Sequence, residues 1–255
     1  MKGPQEQYSE EIKSKFGYWA TWLPSVPLSL GDIGIVNNGV FTRIASIEDF
    51  NLTFEIKENQ TEDDLEYSSK GQVSISTKLS GTVSPQGSSL LDADAGFIVE
   101  FGNENSIYFK INESRVSLIS NSQKLGHQII DLYKSGKWNK HWAVITEIVK
   151  AESSTILISN SMNAKIELKA NANINLAKLD IADAKFALGA TFTKGLDTKI
   201  FSINGLTPLF KTQGIKTRIF LPPNFIDRGI KAFDLLTPDS AKYKFDSDIY
   251  FDYIE

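Results

Sequence analysis

The chain has 255 residues, 41% of them hydrophobic, enough to bury a full core in one large β-rich domain or two smaller ones. A formal net charge of −4 gives no basic footprint of the kind nucleic acid requires, so no nucleic-acid partner is expected. The absence of cysteine excludes disulfides, zinc thiolate sites and thiol nucleophiles, and no cofactor is expected.

The first residues are polar and lack an apolar core, so no secretory signal is read there. No apolar run approaches the ~18 residues of a membrane-crossing helix. Residues 8–16 predict a short helix capped by Ser9, with Glu10 and Glu11 in its first turn. The aromatic run from Phe16 to Trp22 predicts a buried first strand, broken by Pro24 and Pro27. Asn37-Asn38-Gly39 predicts a tight turn, with Val40–Ile44 pairing back and Ser46 capping a helical turn to Phe50. Residues 55–66 are acidic and predict an exposed loop. They lack the spacing and the glycine of a calcium loop.

Residues 71–112 carry the clearest pattern. Val73, Ile75, Leu79 and Val83 share one face of a predicted strand over residues 72–83, and Ser74, Ser76, Lys78, Ser80 and Thr82 share the other. A loop rich in Ser, Pro and Gly follows. Phe97, Val99 and Phe101 then share a face, as do Ile107, Phe109 and Ile111, and residues 115–119 predict a further strand. Residues 122–134 predict the strongest helix, with Leu125, Ile129, Leu132 and Tyr133 on one side and Gly136 as its stop. Residues 141–149 and 155–159 predict a central apolar hairpin turning at 150–154.

A second long unit spans residues 164–193. Ile166 and Leu168 alternate with Lys165, Glu167 and Lys169. On the return, Ala184, Phe186, Leu188, Ala190 and Phe192 share a face, although helical periodicity also fits residues 176–188. Residues 199–203 and 216–221 predict two more strands, ended by Pro222-Pro223. Residues 224–236 predict a helix, and an acidic, aromatic tail runs to Glu255. The expected fold is α+β: a twisted, mostly antiparallel β-sheet with amphipathic hairpins and a few peripheral helices. Residues 1–222 form its core, and 223–255 a helix and tail.

No catalytic motif is present: no nucleophile elbow, phosphate loop, dinucleotide fingerprint or His-Glu-x-x-His. His127 has Asp131 one turn later, an ordinary helix-surface pair, and His141 precedes the Trp142 strand. Histidines and carboxylates show no metal-ligand spacing. Trp19, Trp22, Trp138 and Trp142 fit a core or an interface better than a sugar platform. The protein is therefore read as non-enzymatic, with a hydrolase acting on sugar or phosphodiester far behind.

Several passages resemble bacterial gasdermins, a family of pore-forming proteins. They are Phe16-Gly-Tyr18, Leu23-Pro24, Pro27-Leu-Ser-Leu-Gly-Asp-Ile-Gly34 and the Asn-Asn-Gly turn. The stretch from Trp142 to Ile156 and the passage Asn204-Gly205 to Pro208-Leu-Phe210 complete the set. The likeness lies in the order of elements. It departs from the family in lacking the lipidated cysteine commonly found near the N-terminus. The resemblance implies an autoinhibited protein, cytoplasmic until a protease removes a C-terminal segment. It then oligomerises with itself in membrane lipid at the cell's inner membrane and causes cell death in antiphage defence.

On this reading the membrane-inserting strands carry Val73, Ile75, Leu79, Val83, Phe97, Val99, Phe101, Ile107, Phe109, Ile111, Ile166, Leu168, Phe186, Leu188 and Phe192 outward. Residues 72–83 reach the roughly 9–11 residues a barrel strand needs, as do the runs inside 95–112, 164–176 and 184–194. The inhibitory tail carries Phe233, Tyr243, Phe245, Tyr250 and Phe251. Arg228, Lys242 and Lys244 are the cut sites for a trypsin-like protease, and Asp234 or Asp239 for an Asp-specific one. The alternative is a non-enzymatic, soluble β-rich interaction module.

Overall fold

A computed structural model describes residues 3–170, 180–182, 189–220 and 246–254. The expected α+β class holds: mostly antiparallel β-structure with two helices among these residues. The first helix, α1 (Pro4–Phe16), starts earlier than Ser9 because Pro4 opens it, and Gly17 closes it in a left-handed conformation. Ser9 is not a cap. It is buried within the helix, and its hydroxyl donates to Gly39 O at 3.0 Å.

The strands are β1 (Trp19–Ala20), β2 (Asp32–Asn37), β3 (Val40–Ser46), β4 (Ile56–Glu58), β5 (Asp63–Ser68), β6 (Val73–Lys78), β7 (Gly96–Phe101) and β8 (Ile107–Ile119). The second helix, α2 (Ser122–Lys134), lies where its periodicity put it. Then come β9 (Ala143–Ser159), β10 (Ala164–Lys169), β11 (Gly189–Lys194), β12 (Leu196–Phe220) and β13 (Asp246–Tyr253). A 3-10 turn at Ile47–Phe50 carries the expected Ser46 cap, completed as a capping box by Asp49.

Among the described residues the strands form two sheets. The larger has nine strands along the path β1-β12-β9-β2-β3, with β8 beside β9, β4 and β5 beside β8, and β13 on β12. The smaller has four, in the order β11-β10-β7-β6. Along β8 the side chains divide by parity. Ile107, Phe109 and Ile111 pack under Tyr8 and Ile12 of α1, whereas Tyr108 packs with Leu157 against the small sheet. The large sheet is thus sandwiched, as its near-continuous apolar strands require.

Several boundaries differ from those expected. The aromatic run of the first strand keeps only Trp19 and Ala20 in a ladder, with Phe210 and Leu209. Residues 55–66 are not simply a loop. They supply β4 and β5, whose exposed charges suit a strand at a sheet edge. The predicted 72–83 strand ends at Lys78, because Gly81 turns the chain in a left-handed conformation.

The central hairpin is one 17-residue strand. Lys150 and Glu152 are outward positions of an unbroken run that no Gly or Pro interrupts. Likewise the two strands expected between residues 199 and 221 are one 25-residue strand, β12. Its register against β9 shifts near Leu206, absorbing Gly205 and Pro208 as bulges. The helix expected at 224–236 and the boundary at 222/223 lie outside the described residues. Beyond them, β13 joins the large sheet, and Phe251 lies where a Cβ on Gly126 of α2 would come within 2.8 Å.

Candidate functional site

The feature that organises the molecule is the line along which one sheet is folded over the other. In the large sheet the neighbours run β5-β8-β9-β12; in the small sheet they run β6-β7-β10-β11. Each strand of one series continues in sequence into its counterpart: β5 into β6, β7 into β8, β9 into β10, β11 into β12. The crossings are residues 69–72, 102–106, 160–163 and 195. Each holds a residue with positive φ: Gly71 at 69°, Asn105 at 60°, Asn163 at 56° and Gly195 at 65°. Glycine and asparagine are the residues that adopt this conformation at least cost.

The crossings are laced to one another in the same order. Ser69 N donates to Ile107 O at 2.9 Å, and Ile107 N returns a bond to Ser69 Oγ at 3.0 Å. Gly102 N donates to Gln72 O at 2.8 Å and Ser106 Oγ to Gln72 Oε1 at 2.8 Å. Ser106 N donates to Ser159 Oγ at 2.9 Å, Ser159 Oγ to Asn103 O at 2.6 Å, and Asn160 N to Gly195 O at 2.9 Å. Buried polar groups at the bend are therefore satisfied within it.

The inner face of the small sheet is apolar. Phe97, Val99, Phe101, Ile166 and Leu168 are buried with Tyr108 and Leu157, and Val73 packs against them in part. Its outer face is also covered, at one side, by residues 79–95. Ser88 Oγ, Ser89 N and Ser89 Oγ donate to Glu167 Oε2 at 3.0, 2.6 and 2.6 Å, and Lys165 Nζ lies 2.7 Å from Glu167 Oε1. Lys78, almost fully buried, donates to the carbonyls of Leu79, Thr82, Asp92 and Asp94 at 3.1–3.3 Å. One ammonium thus gathers both ends of the loop.

These positions revise the residue assignments. Phe97, Val99, Phe101, Ile166 and Leu168 share one hidden face. Ile107, Phe109 and Ile111 do not join them: they lie on the large sheet and face α1. Ile75 is on the edge strand and 39% exposed. Leu79 and Val83 lie beyond the end of β6, in the loop. Phe192 stands opposite Glu167, on the outer face, because a bulge between Glu167 and Leu168 reverses the alternation that groups it with Ala190.

Of the tail, Tyr250 and Phe251 lie on β13, opposite Lys216 and Ile215. Phe186, Leu188, Arg228, Phe233, Lys242, Tyr243, Lys244 and Phe245 lie outside the described residues, as do Asp234 and Asp239. Alternation alone hides the crossings, and it puts Lys78 and Glu167 on a wet face. The visible signals for the crossings are the glycines and asparagines between apolar runs.

Two charged clusters flank this core. Lys150 Nζ and Ser117 Oγ each lie 2.9 Å from Glu58 Oε1, and these bonds hold the Glu58 carboxyl below its usual range. Arg115 pairs with Glu62 beside them. On the α1 side, Tyr18 donates to the nearly buried Glu147, which Lys211 approaches at 3.2 Å. His127 and His141 are exposed, and no cluster of three or more His, Asp or Glu is placed to hold a metal among the described residues. No helix among them is long and apolar enough to cross a membrane.

The fold and the site define a two-sheet α+β protein organised around a fold line. No protein-family profile matches the chain, and no curated protein matches it.

Proposed function

We propose that this is a latent pore-forming protein whose small sheet swings out about the fold line. The observation that supports the reading is the shared strand order. Because β5-β8-β9-β12 and β6-β7-β10-β11 follow the same order, straightening the crossings yields four antiparallel strands without exchanging any neighbour. Among the described residues each small-sheet strand has six, too few to span a bilayer. Residues 73–101 and 164–194, their connecting stretches included, are long enough for two spanning strands each plus a turn.

In water the inner face opposes opening. Exposing Phe97, Val99, Phe101, Ile166 and Leu168 costs on the order of 10 kcal/mol. Lipid contact offsets that cost, and closure of several copies into a barrel leaves no unpaired backbone in the bilayer. The C-terminal segment restrains the closed form, and its removal by a protease releases it at the inner membrane. The outcome is cell death, the role being antiphage defence.

A protease site inserted among residues 233–245 of the full-length chain, cut after purification, tests this on dye-loaded vesicles of anionic bacterial lipid. Leakage and a large oligomer are expected only after cutting. Ile75→Lys should abolish the leakage, because a cation at mid-bilayer on a barrel's lipid face costs about 2–4 kcal/mol per copy. Its melting temperature should barely move, because Ile75 is already 39% exposed. A cut protein that leaks nothing and stays monomeric sinks the proposal in favour of a soluble interaction module.

A further inference from the structure

We infer that Asp180-Ile181-Ala182 is a latch that holds the small sheet closed against the large one. These residues belong to the stretch joining β10 to β11, yet their partners are on the large sheet. Asp180 Oδ2 lies 2.6 Å from Lys110 Nζ on β8. Thr155 Oγ1, on β9, donates to Ile181 O at 2.7 Å. Lys110 and Thr155 are ladder partners, so the two anchors sit side by side on neighbouring strands.

Ile181 is 4% exposed and packs with Tyr108, Leu157 and Leu168, between the sheets. Asp180 is itself oriented by Ala182 N, which donates to Oδ1 at 2.8 Å, and by the side chain of Asn112. Glu66 lies 3.6 Å from the same ammonium and accepts a bond from Tyr108 Oη at 3.2 Å.

The chemistry suits a latch rather than general packing. The Lys110 side chain is only 16% exposed, so its ammonium is largely withdrawn from water, and removing one partner leaves the other poorly solvated. Ile181 shares a cluster with Leu168 of β10 as well as with Tyr108 and Leu157 of the large sheet, so an outward swing of β10 breaks packing that the Asp180–Lys110 and Thr155–Ile181 bonds hold in place. The pair therefore gates the movement that the pore-forming reading needs. The latch rests on that reading for its purpose, but it is a property of the closed form.

Hydrogen exchange of the uncut, lipid-free protein decides it. Asp180→Asn, Asp180→Ala, Lys110→Met and the Asp180→Ala/Lys110→Met double variant are compared. Asp180→Asn keeps the shape and loses only the charge, which covers the case in which a harsher variant fails to fold. Each single change should speed exchange at the Ile166 and Leu168 amides by roughly tenfold or more, leaving Tyr8 and Ile12 of α1 unaffected. The double variant should be no faster than the faster single one, because both break one pair. Unchanged exchange, equal acceleration in both regions, or effects that multiply in the double variant would overturn the latch. If exchange behaves as expected but cut protein leaks no dye, the pore-forming reading fails and the latch stands.

Discussion

Gly195→Ala puts a methyl group at the narrowest crossing of the fold line, a single residue between β11 and β12. Gly195 has φ +65°, where an L-residue pays about 1–2 kcal/mol. The new Cβ would also collide with Ser161 Oγ and lie 3.2 Å from Ala164 Cβ. The hydroxyl can rotate away, but Ala164 is held in the β10 ladder opposite Phe101. The two effects together are worth about 2 kcal/mol. For a chain of this size that is a fall in melting temperature of about 4–8 °C.

A calorimetric melt reads the shift, and Gly195→Asn separates its causes. Asparagine tolerates the left-handed region, so it keeps the collision while relieving part of the backbone cost. In a straightened strand neither cost exists, so cut Gly195→Ala protein should leak vesicles at a lower concentration than cut wild type. A melting temperature within 1 °C of wild type would refute the reasoning, because it would mean the crossing does not depend on a left-handed residue.

Two further outcomes follow from buried or paired charges. Lys78→Met should cost about 2–4 kcal/mol in urea unfolding, because it leaves carbonyls of the 79–95 loop without their donor. A loss under 0.5 kcal/mol would show that the ammonium does not organise the loop. Glu58 has its carboxyl held below the ordinary range by Lys150 and Ser117, so its contribution to stability is present above the unfolded carboxylate range and lost as pH falls below it. Glu58→Gln should therefore flatten the acid limb of stability against pH, and an unchanged limb would count against that pairing.

Local patterns were legible where a single stretch settled its own structure. Phe97, Val99 and Phe101 alternate, and they share a buried face. Leu125 and Ile129 recur at helical spacing, and both are buried in α2. Asn37-Asn38-Gly39 turns β2 into β3, with positive φ at Asn38 and Gly39. Polar residues inside long strands misled. Lys150 to Ser154 looks like a turn, and residues 204–215 look like a break between two strands, because alternation within a short window does not separate a turn from a bulge.

The stacking was not legible at all. Whether β7 lies beside β10 depends on residues far apart in sequence, such as Val99 and Ile166. Nor could alternation show that residues 79–95 cover Glu167, since a polar position at a strand's surface is wet only if nothing folds over it. The latch residues gave no signal in advance, because Asp180 acquires its meaning from Lys110 across a gap of 70 positions.

The shared strand order also bears on how the chain folds. Once β8 and β9 pair, the crossings at 102–106 and 160–163 tether β7 and β10 within a few residues of each other. The second ladder then closes over a very short effective loop, so little entropy remains to be lost in forming it. The large sheet can thus act as a template that fixes the alignment of the small one, turning pairings distant in sequence into local steps. The converse also holds: a one-residue slip in β8–β9 would be copied into β7–β10, would put Val99 and Ile166 on opposite faces and would turn one of them toward water.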